Sequence, residues 1–296
     1  MRTCIIFNPA ARGDKAKHFR RQLDEIATKA TIKLTAGPGD ARRLACDAVA
    51  EGFDTVVATG GDGTLNEVLN GICDAPGGFE RARLGVLPLG TVNVFAREVG
   101  LPTKLDLAWQ MIQRGKEICI DLPSVEFMAN GSQQRRYFAQ LAGAGLDAKA
   151  IELVKWQVKK AIGPLAYVLA GLNAVLGKPS KIQALSGSTS MTGELVMIGN
   201  GRLFGGQFKL FPGANLRDGL LDVCVLPRAN LMTLLRCAPR LLLLRSLPAS
   251  AAKLLPAETL KLTSDPPAPL QIDGELIGHL PATFSVQREV LRVIVP

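Results

Sequence analysis

The sequence predicts an α/β domain built on a parallel sheet, followed by a second, mainly antiparallel β domain. Three observations carry this prediction. Apolar runs of strand length alternate with helically spaced stretches over about the first hundred residues, the pattern of a parallel sheet with helices on both faces. After Asp121 the runs become strand-like, with turn residues between them. A chain of 296 residues that is 47% hydrophobic is long enough for about two such domains.

In order, "TCIIFNP" is a short apolar run ending in Asn-Pro, and "GDKAKHFRRQLDEIATKA" has helical spacing. The strand "TIKLTAG" precedes the helical "GDARRLACDAVAEG", for which Asp40 is the expected N-cap. The strand "DTVVATG", the helix "TLNEVLNGIC", the strand "RLGVLPLG" and the helix "TVNVFAREVG" complete the alternation. Beyond the helical "KLDLAWQMIQRGKE" come the strand-like "ICIDLPSVEFMAN", "QQRRYFAQLAGAG", "KIQALSGS", "ELVMIGNG", "GQFKLFPGA" and "GLLDVCVLPR", interrupted by a helix-like stretch over 147–177. The expected domains are 1–120 and 121–296. The last strands, "LQIDGELIG" and "ATFSVQREVLRVIVP", leave open a return of the chain to its first domain.

Lys+Arg 35 against Asp+Glu 26 gives a net charge of +9, which favours anionic partners. Aromatics are 5% and no arginine-rich tail is present, so nucleic acid is not expected as a partner. Six cysteines lie far apart with no C-x-x-C pair, and the opening apolar run is too short for a signal peptide. A reducing cytoplasm is the expected compartment. The charge-free "AIGPLAYVLAGLNAVLG", 161–177, has the length of a minimal membrane span, but its interior Gly and Pro favour a helix on or in the soluble core. His18 and His279 have no partner at metal-ligand spacing. The Leu-rich 228–256 carries Arg228, Arg236, Arg240, Arg245 and Lys253 without an acid. It suits an interfacial helix on an anionic membrane, and equally a helix packed on the β domain.

Ligands on parallel sheets bind beyond the carboxyl ends of the strands, where this chain places Gly-bearing turns. In "ATGGDGTLNE" the glycines permit positive φ and close backbone approach, and Thr64 can cap the following helix, whose free N–H groups suit phosphate. Asp62 suits a magnesium ion or a hydroxyl there. A tight strand-to-helix turn explains the same residues, and neither the dinucleotide fingerprint nor the Walker loop is matched. Asn8 in "FNPAARG", and Gly90, Thr91 and Asn93 in "LPLGTVN", end neighbouring strands and would converge on the same site.

"FNPAARG", "ATGGDGTLNEVLNG", "GVLPLGTVNVFAREVGLP", "GNGRLFGGQFKLFPGANLRDGLLDV" and "LQIDGE", in this order, resemble the diacylglycerol kinase catalytic domain family, with its bacterial diacylglycerol kinase-like and sphingosine kinase-like lipid kinases. The resemblance implies a phosphofructokinase-like N-terminal α/β domain and a C-terminal β-sandwich, with the active site between them. It implies an ATP- and Mg2+-dependent kinase acting on a hydroxyl of diacylglycerol or a related lipid at an anionic membrane surface, cytoplasmic and peripherally attached, with a homodimer left open. Gly60, Gly61, Asp62, Gly63, Thr64, Leu65 and Asn66 would bind the ATP phosphates, with Glu67 beside them, and Asn8, Thr35, Gly90, Thr91 and Asn93 would help hold the nucleotide. Asp62 would act through magnesium, or as the base by analogy with the sphingosine kinase branch. Glu275 would be the general base, with Asp273 next to it. Asn215, Asp218 and Leu220 would form a structural metal loop.

Bare patterning reads "QIDGELIG" as a hairpin and "ANLRDGLLDV" as a turn entering a strand. The chain departs from the family in "GTVNVFAR", where Val94 stands in place of the usual Asp. A soluble small-molecule kinase of the NAD kinase or phosphofructokinase type shares the G-G-D-G turn and stays an alternative, as does a non-catalytic nucleotide or lipid sensor.

Overall fold

The computed structural model describes residues 2–11, 23, 29–153, 179–230, 232–233, 236–237, 240, 247–248 and 250–296. The expected helix over 13–30 falls mostly outside the described residues, 161–177 falls there entirely, and so does part of the Leu-rich segment, chiefly within 231–249.

Strands β1 (Thr3–Phe7), β2 (Thr31–Leu34), β3 (Thr55–Gly60) and β4 (Arg83–Pro88) run parallel in the order β2-β1-β3-β4. Every residue of β1 and β3 is buried, as expected for parallel strands covered on both faces. Alternate side chains serve two cores. Cys4, Ile6, Val56 and Ala58 pack with helices α1 (Asp40–Ala50) and α2 (Asp62–Asp74). Ile5, Phe7 and Val57 pack with Leu105, Ala108, Trp109 and Ile112. Those four belong to α5 (Leu105–Arg114); α3 (Gly78–Arg81) and α4 (Val94–Glu98) are short helices before it.

Helix α2 follows β3 directly and carries the turn of interest. Its Leu65, Val68, Leu69 and Ile72 recur at i, i+3, i+4, i+7 and are at most 3% exposed. Each such burial is worth about 1.5–3 kcal/mol, enough to seat the helix on the sheet. Gly71 sets the crossing with α1, since a Cβ there would lie 2.0 Å from the Arg42 carbonyl. The expected caps are different in the fold. Gly39, in the left-handed region at φ 85°, precedes α1, and the Asp40 carboxylate accepts the Ala36 N–H at 2.7 Å. The helix expected over 91–100 shortens to α4 because Asn93 sits at φ 50° and Gly100 at φ 74°.

In the second half, β5 (Glu117–Ala129) and β6 (Ser132–Tyr137) pair, then β7 (Leu141–Gly145) leads into helix α6 (Leu146–Leu153). "QQRRYFAQLAGAG" is thus two strands. Next come β8 (Ile182–Ser186), β9 (Thr189–Gly193), β10 (Leu195–Gly199), β11 (Leu203–Phe204), β12 (Phe208–Lys209) and β13 (Leu221–Leu226). The chain ends with β14 (Lys253–Ala257), β15 (Thr259–Ser264), β16 (Pro269–Ile272), β17 (Glu275–His279) and β18 (Ala282–Ile294). The end of the Leu-rich segment is therefore strand β14, paired with β13, and not helix.

An antiparallel sheet, ordered β14-β13-β10-β7-β16-β17, faces part of a ten-stranded sheet. Ile198, Val223, Leu270 and Ile272 from the first pack in one core with Val125, Leu260, Leu262 and Phe284 from the second, which makes a sandwich. The return of the chain left open by patterning does occur. β18 pairs antiparallel with β5 and β15, and its end runs parallel to β4 at Val293 opposite Leu84.

Candidate functional site

Because β1, β3 and β4 are parallel neighbours, the turns that follow them share one edge. The Asn8 N–H donates to the Thr59 carbonyl at 3.0 Å, and the N–H groups of Leu89 and Gly90 both donate to the Gly60 carbonyl at 2.9 Å. The Asn8 amide donates to Thr64 Oγ1 at 3.1 Å, while its Oδ1 accepts the Ala10 N–H at 3.0 Å. Thr64 is thus held inside the first turn of α2. The N-cap is Gly61, and no side chain caps the helix. Thr35, at the end of β2, hangs on the same edge through its N–H to the Phe7 carbonyl, 3.0 Å.

Contact, and not positive φ, requires Gly60 and Gly90, since none of Gly60, Gly61, Gly63 or Gly90 is left-handed. A Cβ on Gly60 would lie 2.4 Å from Thr64 Oγ1, and one on Gly90 would lie 2.5 Å from Gly61 Cα and from Asn93 Oδ1. A Cβ on Gly61 would make only ordinary contact, 3.5 Å from Gly90 Cα, and Gly63 is exposed with nothing among the described residues within 4 Å of an added Cβ. Space is therefore open beside Gly63, in the first turn of a 13-residue helix, the end that carries its positive pole. Asn93 donates its amide to the Gly90 carbonyl at 2.8 Å, leaving Oδ1 buried without a partner. The helix start suits phosphate oxygens and the orphaned Asn93 acceptor suits a hydroxyl or amine donor, groups that a nucleotide carries together. Thr91 is exposed, whereas Leu65 is buried in the core and has only its backbone to offer. Glu67 faces away. Its two carboxylate oxygens accept the Gly39 and Ala41 N–H groups at 3.0 Å each, which caps α1.

Asp62 lies where α4 begins. Its Oδ1 accepts the Phe95 N–H at 3.4 Å. Burial, and next the charge of Asp273, push its carboxyl up to about 6, while the Phe95 and Val94 N–H groups oppose the shift. Val94 thus contributes its backbone at the position of the family's Asp. A cation at Asp62 would offset the repulsion from Asp273, so the Asp62 carboxylate fits a magnesium ion.

Asp273 joins the two halves. Its Oδ2 accepts the Asn66 amide and the Ala139 N–H, both at 2.9 Å, and its Oδ1 accepts the N–H groups of Gln140 at 3.1 Å and Leu141 at 3.0 Å. Burial raises its pKa against these four donors. Asn66, 1% exposed, also donates to the Tyr137 carbonyl at 3.0 Å, and Asn70 joins the same carbonyl at 2.9 Å. Asn66 and Asp273 are therefore interlocked side chains rather than open ligand groups. Glu275, two residues on, is free of that mesh. It is 50% exposed and faces Arg136 at 3.6 Å. Asp273 at φ 45° and Gly274 at φ 86° form the two-residue hairpin turn between β16 and β17, with Ile272 opposite Glu275.

The loop 215–222 lies apart, pinned by Asp121, whose oxygens accept the Gly219 N–H at 2.6 Å and the Glu289 N–H at 2.8 Å. Asn215 Oδ1 accepts the Arg217 N–H at 3.2 Å and Asp218 Oδ1 the Leu220 N–H at 3.0 Å. Burial, then Asp218, push Asp222 up to about 6. Among the described residues no three His, Cys, Asp or Glu side chains gather as a metal cluster. A cation here would rest on the Asp218–Asp222 pair and on carbonyls, donors that suit magnesium or calcium.

Sequence reasoning missed Asn70, Glu98, Asp121, Gln140 and Asn200. Glu98 is buried in α4 and accepts from Arg202 Nε at 2.9 Å, Gln140 Nε2 at 3.1 Å and the Leu203 N–H at 2.8 Å. Asn200 donates to the Asp121 and Ala139 carbonyls, each at 3.1 Å. The one legible signal was the spacing of Asn66 and Asn70, two amides at i, i+4 on an otherwise apolar helix face.

Comparison with known proteins agrees with the two-part fold. Residues 2–125 match the family model "Diacylglycerol kinase catalytic domain", and residues 140–295 match "YegS C-terminal NAD kinase beta sandwich-like domain". A diacylglycerol kinase of Bacillus subtilis (strain 168) is 31% identical over 303 residues, covering 100% of this chain and 96% of its own. One of Staphylococcus carnosus (strain TM300) is 30% identical over 307 residues, covering 100% and 95%. The solved structure of a diacylglycerol kinase from Bacillus anthracis str. Sterne shares the fold, with a TM-score of 0.78 at 21% identity over 100% of this chain and 97% of that one.

Proposed function

The chain belongs to the diacylglycerol kinase family of lipid kinases, and from that premise we propose that it transfers the γ-phosphate of ATP, with Mg2+, to a hydroxyl of diacylglycerol or a related lipid at a membrane surface. The observation that carries this reading is the Asn66–Asp273 bond, which holds the open start of α2 against the Asp273–Gly274 turn that bears Glu275. Phosphoryl transfer to an alcohol needs neutralised phosphates and a carboxylate within reach of the attacking hydroxyl. The arrangement supplies the parts for both.

In this reading the N–H groups of Gly61, Gly63 and Thr64 receive the phosphates, and Asn8, Thr35, Thr91 and Asn93 border the nucleotide. Magnesium, when bound with the nucleotide, neutralises charge on the transferring phosphoryl group. Asp62, its carboxylate held by the α4 backbone, would hold that ion. Glu275 accepts the proton of the lipid hydroxyl, because it is the one carboxylate of the turn that is not already saturated with donors. Asp273 positions the turn and does not itself take the proton. Asp218 and Asp222 would hold a structural cation. The net charge of +9 favours an anionic lipid surface, and among the described residues no helix is long and apolar enough to cross a membrane.

The test is transfer of labelled γ-phosphate from ATP, with magnesium, to diacylglycerol, monoacylglycerol, sphingosine and ceramide in anionic mixed micelles. A labelled lipid supports the reading and names the acceptor. ATP binding with no labelled lipid refutes it.

A further inference from the structure

A second carboxylate is linked to the Asp273–Gly274 turn through one side chain and has no part in the reaction as proposed. Asp147, in the first turn of α6, accepts a hydrogen bond from Gln271 Nε2 on Oδ2 at 2.7 Å. Gln271 in turn accepts the Gly274 N–H on Oε1 at 2.9 Å. Chemistry fixes the polarity of this chain. A backbone N–H only donates, so the amide oxygen must face Gly274, and the amide NH2 is left for an acceptor at Asp147.

Gly143 makes the space for it. In β7 it stands opposite Gln271, and a Cβ there would lie 2.6 Å from Asp147 Oδ2 and 2.8 Å from Gln271 Nε2. Gly143 is not left-handed, so the backbone conformation does not call for glycine at this position. Gln271 is 1% exposed. Burial pushes the Asp147 carboxyl up to about 6, with the Gln271 bond opposing.

The turn needs this second tether. The four donors on the Asp273 carboxylate fix one end, but the peptide between Asp273 and Gly274 can still rotate, and in a two-residue hairpin that rotation interconverts turn types. A held Gly274 N–H prevents it, and Glu275 is the next residue.

We propose that Asp147, Gln271 and Gly143 form a positioning relay that sets the orientation of the 273–274 peptide and thereby the placement of the Glu275 carboxylate against the acceptor hydroxyl. This rests on the reading of Glu275 as general base. No atom is transferred along the relay, and its members are positioning residues.

The relay is tested by exchanging its two side-chain partners. Gln271→Glu places two carboxylates face to face, and kcat falls by roughly tenfold with the lipid KM within about twofold, the pattern of a misplaced catalytic group. In the double variant Asp147→Asn/Gln271→Glu, the introduced amide at 147 donates to the introduced carboxylate at 271, whose other oxygen accepts the Gly274 N–H. Its kcat returns to within about threefold of the parent. A Gln271→Glu variant as active as the parent, or a double variant no better than the single with the same thermal unfolding, overturns the relay. A second readout needs no turnover. In protein labelled with 15N-glycine, amide exchange at Gly274 accelerates about tenfold in Gly143→Ala and in Gln271→Leu and recovers in the double exchange variant. Unchanged exchange in both overturns the relay even if no lipid acceptor is found. A parent enzyme with no lipid turnover but a protected Gly274 amide defeats the kinase reading alone.

Discussion

Asn66 and Asp273, 207 positions apart, meet at 2.9 Å, with the Asn66 amide donating to the carboxylate. The same amide donates to the Tyr137 carbonyl at 3.0 Å, so one side chain on α2 binds two segments of the second half. Asn66→Ala leaves both acceptors short of a donor in a buried setting. It should lower the unfolding free energy by about 2 kcal/mol, measured by urea denaturation. An unchanged midpoint would show that the interlock carries no stability.

Asp62 makes stability depend on pH. An ordinary aspartate titrates near 3.9, and Asp62 is pushed up to about 6 by burial and by Asp273. Between these values the folded protein holds a proton that the unfolded chain has released. The contribution of Asp62 to stability is therefore complete below about 4 and lost as pH rises through about 6. Asp62→Asn should stabilise the nucleotide-free protein at neutral pH by about 2 kcal/mol and leave it unchanged in acid. Thermal unfolding at both pH values checks the sign.

Gly63 and Gly60 should respond differently to the same methyl group. Space around Gly63 is open, so Gly63→Ala should keep the unfolding temperature and weaken ATP binding by about tenfold, read by calorimetric titration. Gly60→Ala drives a Cβ to 2.4 Å from Thr64 Oγ1 and should destabilise the fold by about 1–3 kcal/mol. Equal effects of the two on stability would contradict the open cradle.

Glu275→Gln should lower kcat by about 10²–10⁴-fold, the usual range for a lost general base. Its ion pair with Arg136 spans 3.6 Å with Glu275 half exposed, which limits the stability change to about 0–1 kcal/mol. Steady-state kinetics beside a melting curve separates the two. Full activity removes Glu275 from the reaction.

The Asp218–Asp222 pair should bind a divalent cation. Asp222 is raised to about 6 by burial and its neighbour, so magnesium should increase the melting temperature of the nucleotide-free protein by mass action. Asp218→Asn should abolish that increase. A magnesium response that survives the substitution places the cation elsewhere.

Much of the site was legible because its signals are local. Asp-Gly between alternating runs marked the turn at 273–274, and glycines between a strand and a helix marked the turn at the start of α2. Local reasoning failed where a side chain had two nearby options. Asp40 was the expected cap of α1, yet Gly39 takes the cap position and Glu67 from α2 supplies the carboxylate for those N–H groups. Glu98 and Asp121 carry no local signal, because their donors arrive from Arg202, Leu203, Gly219 and Glu289.

By itself, the sequence determined the parallel α/β sheet, the antiparallel partner domain, and the order of the glycine turns along one edge. Those follow from hydrophobic period and backbone freedom, properties of neighbouring residues. Only the tertiary structure decided which carboxylate is available. Asp273 and Glu275 stand two positions apart with the same functional group, but the donors that saturate Asp273 come from 132 to 207 positions away. Folding brings those donors to one of the two carboxylates and leaves the other facing solvent and Arg136, a difference that no spacing within "QIDGELIG" encodes.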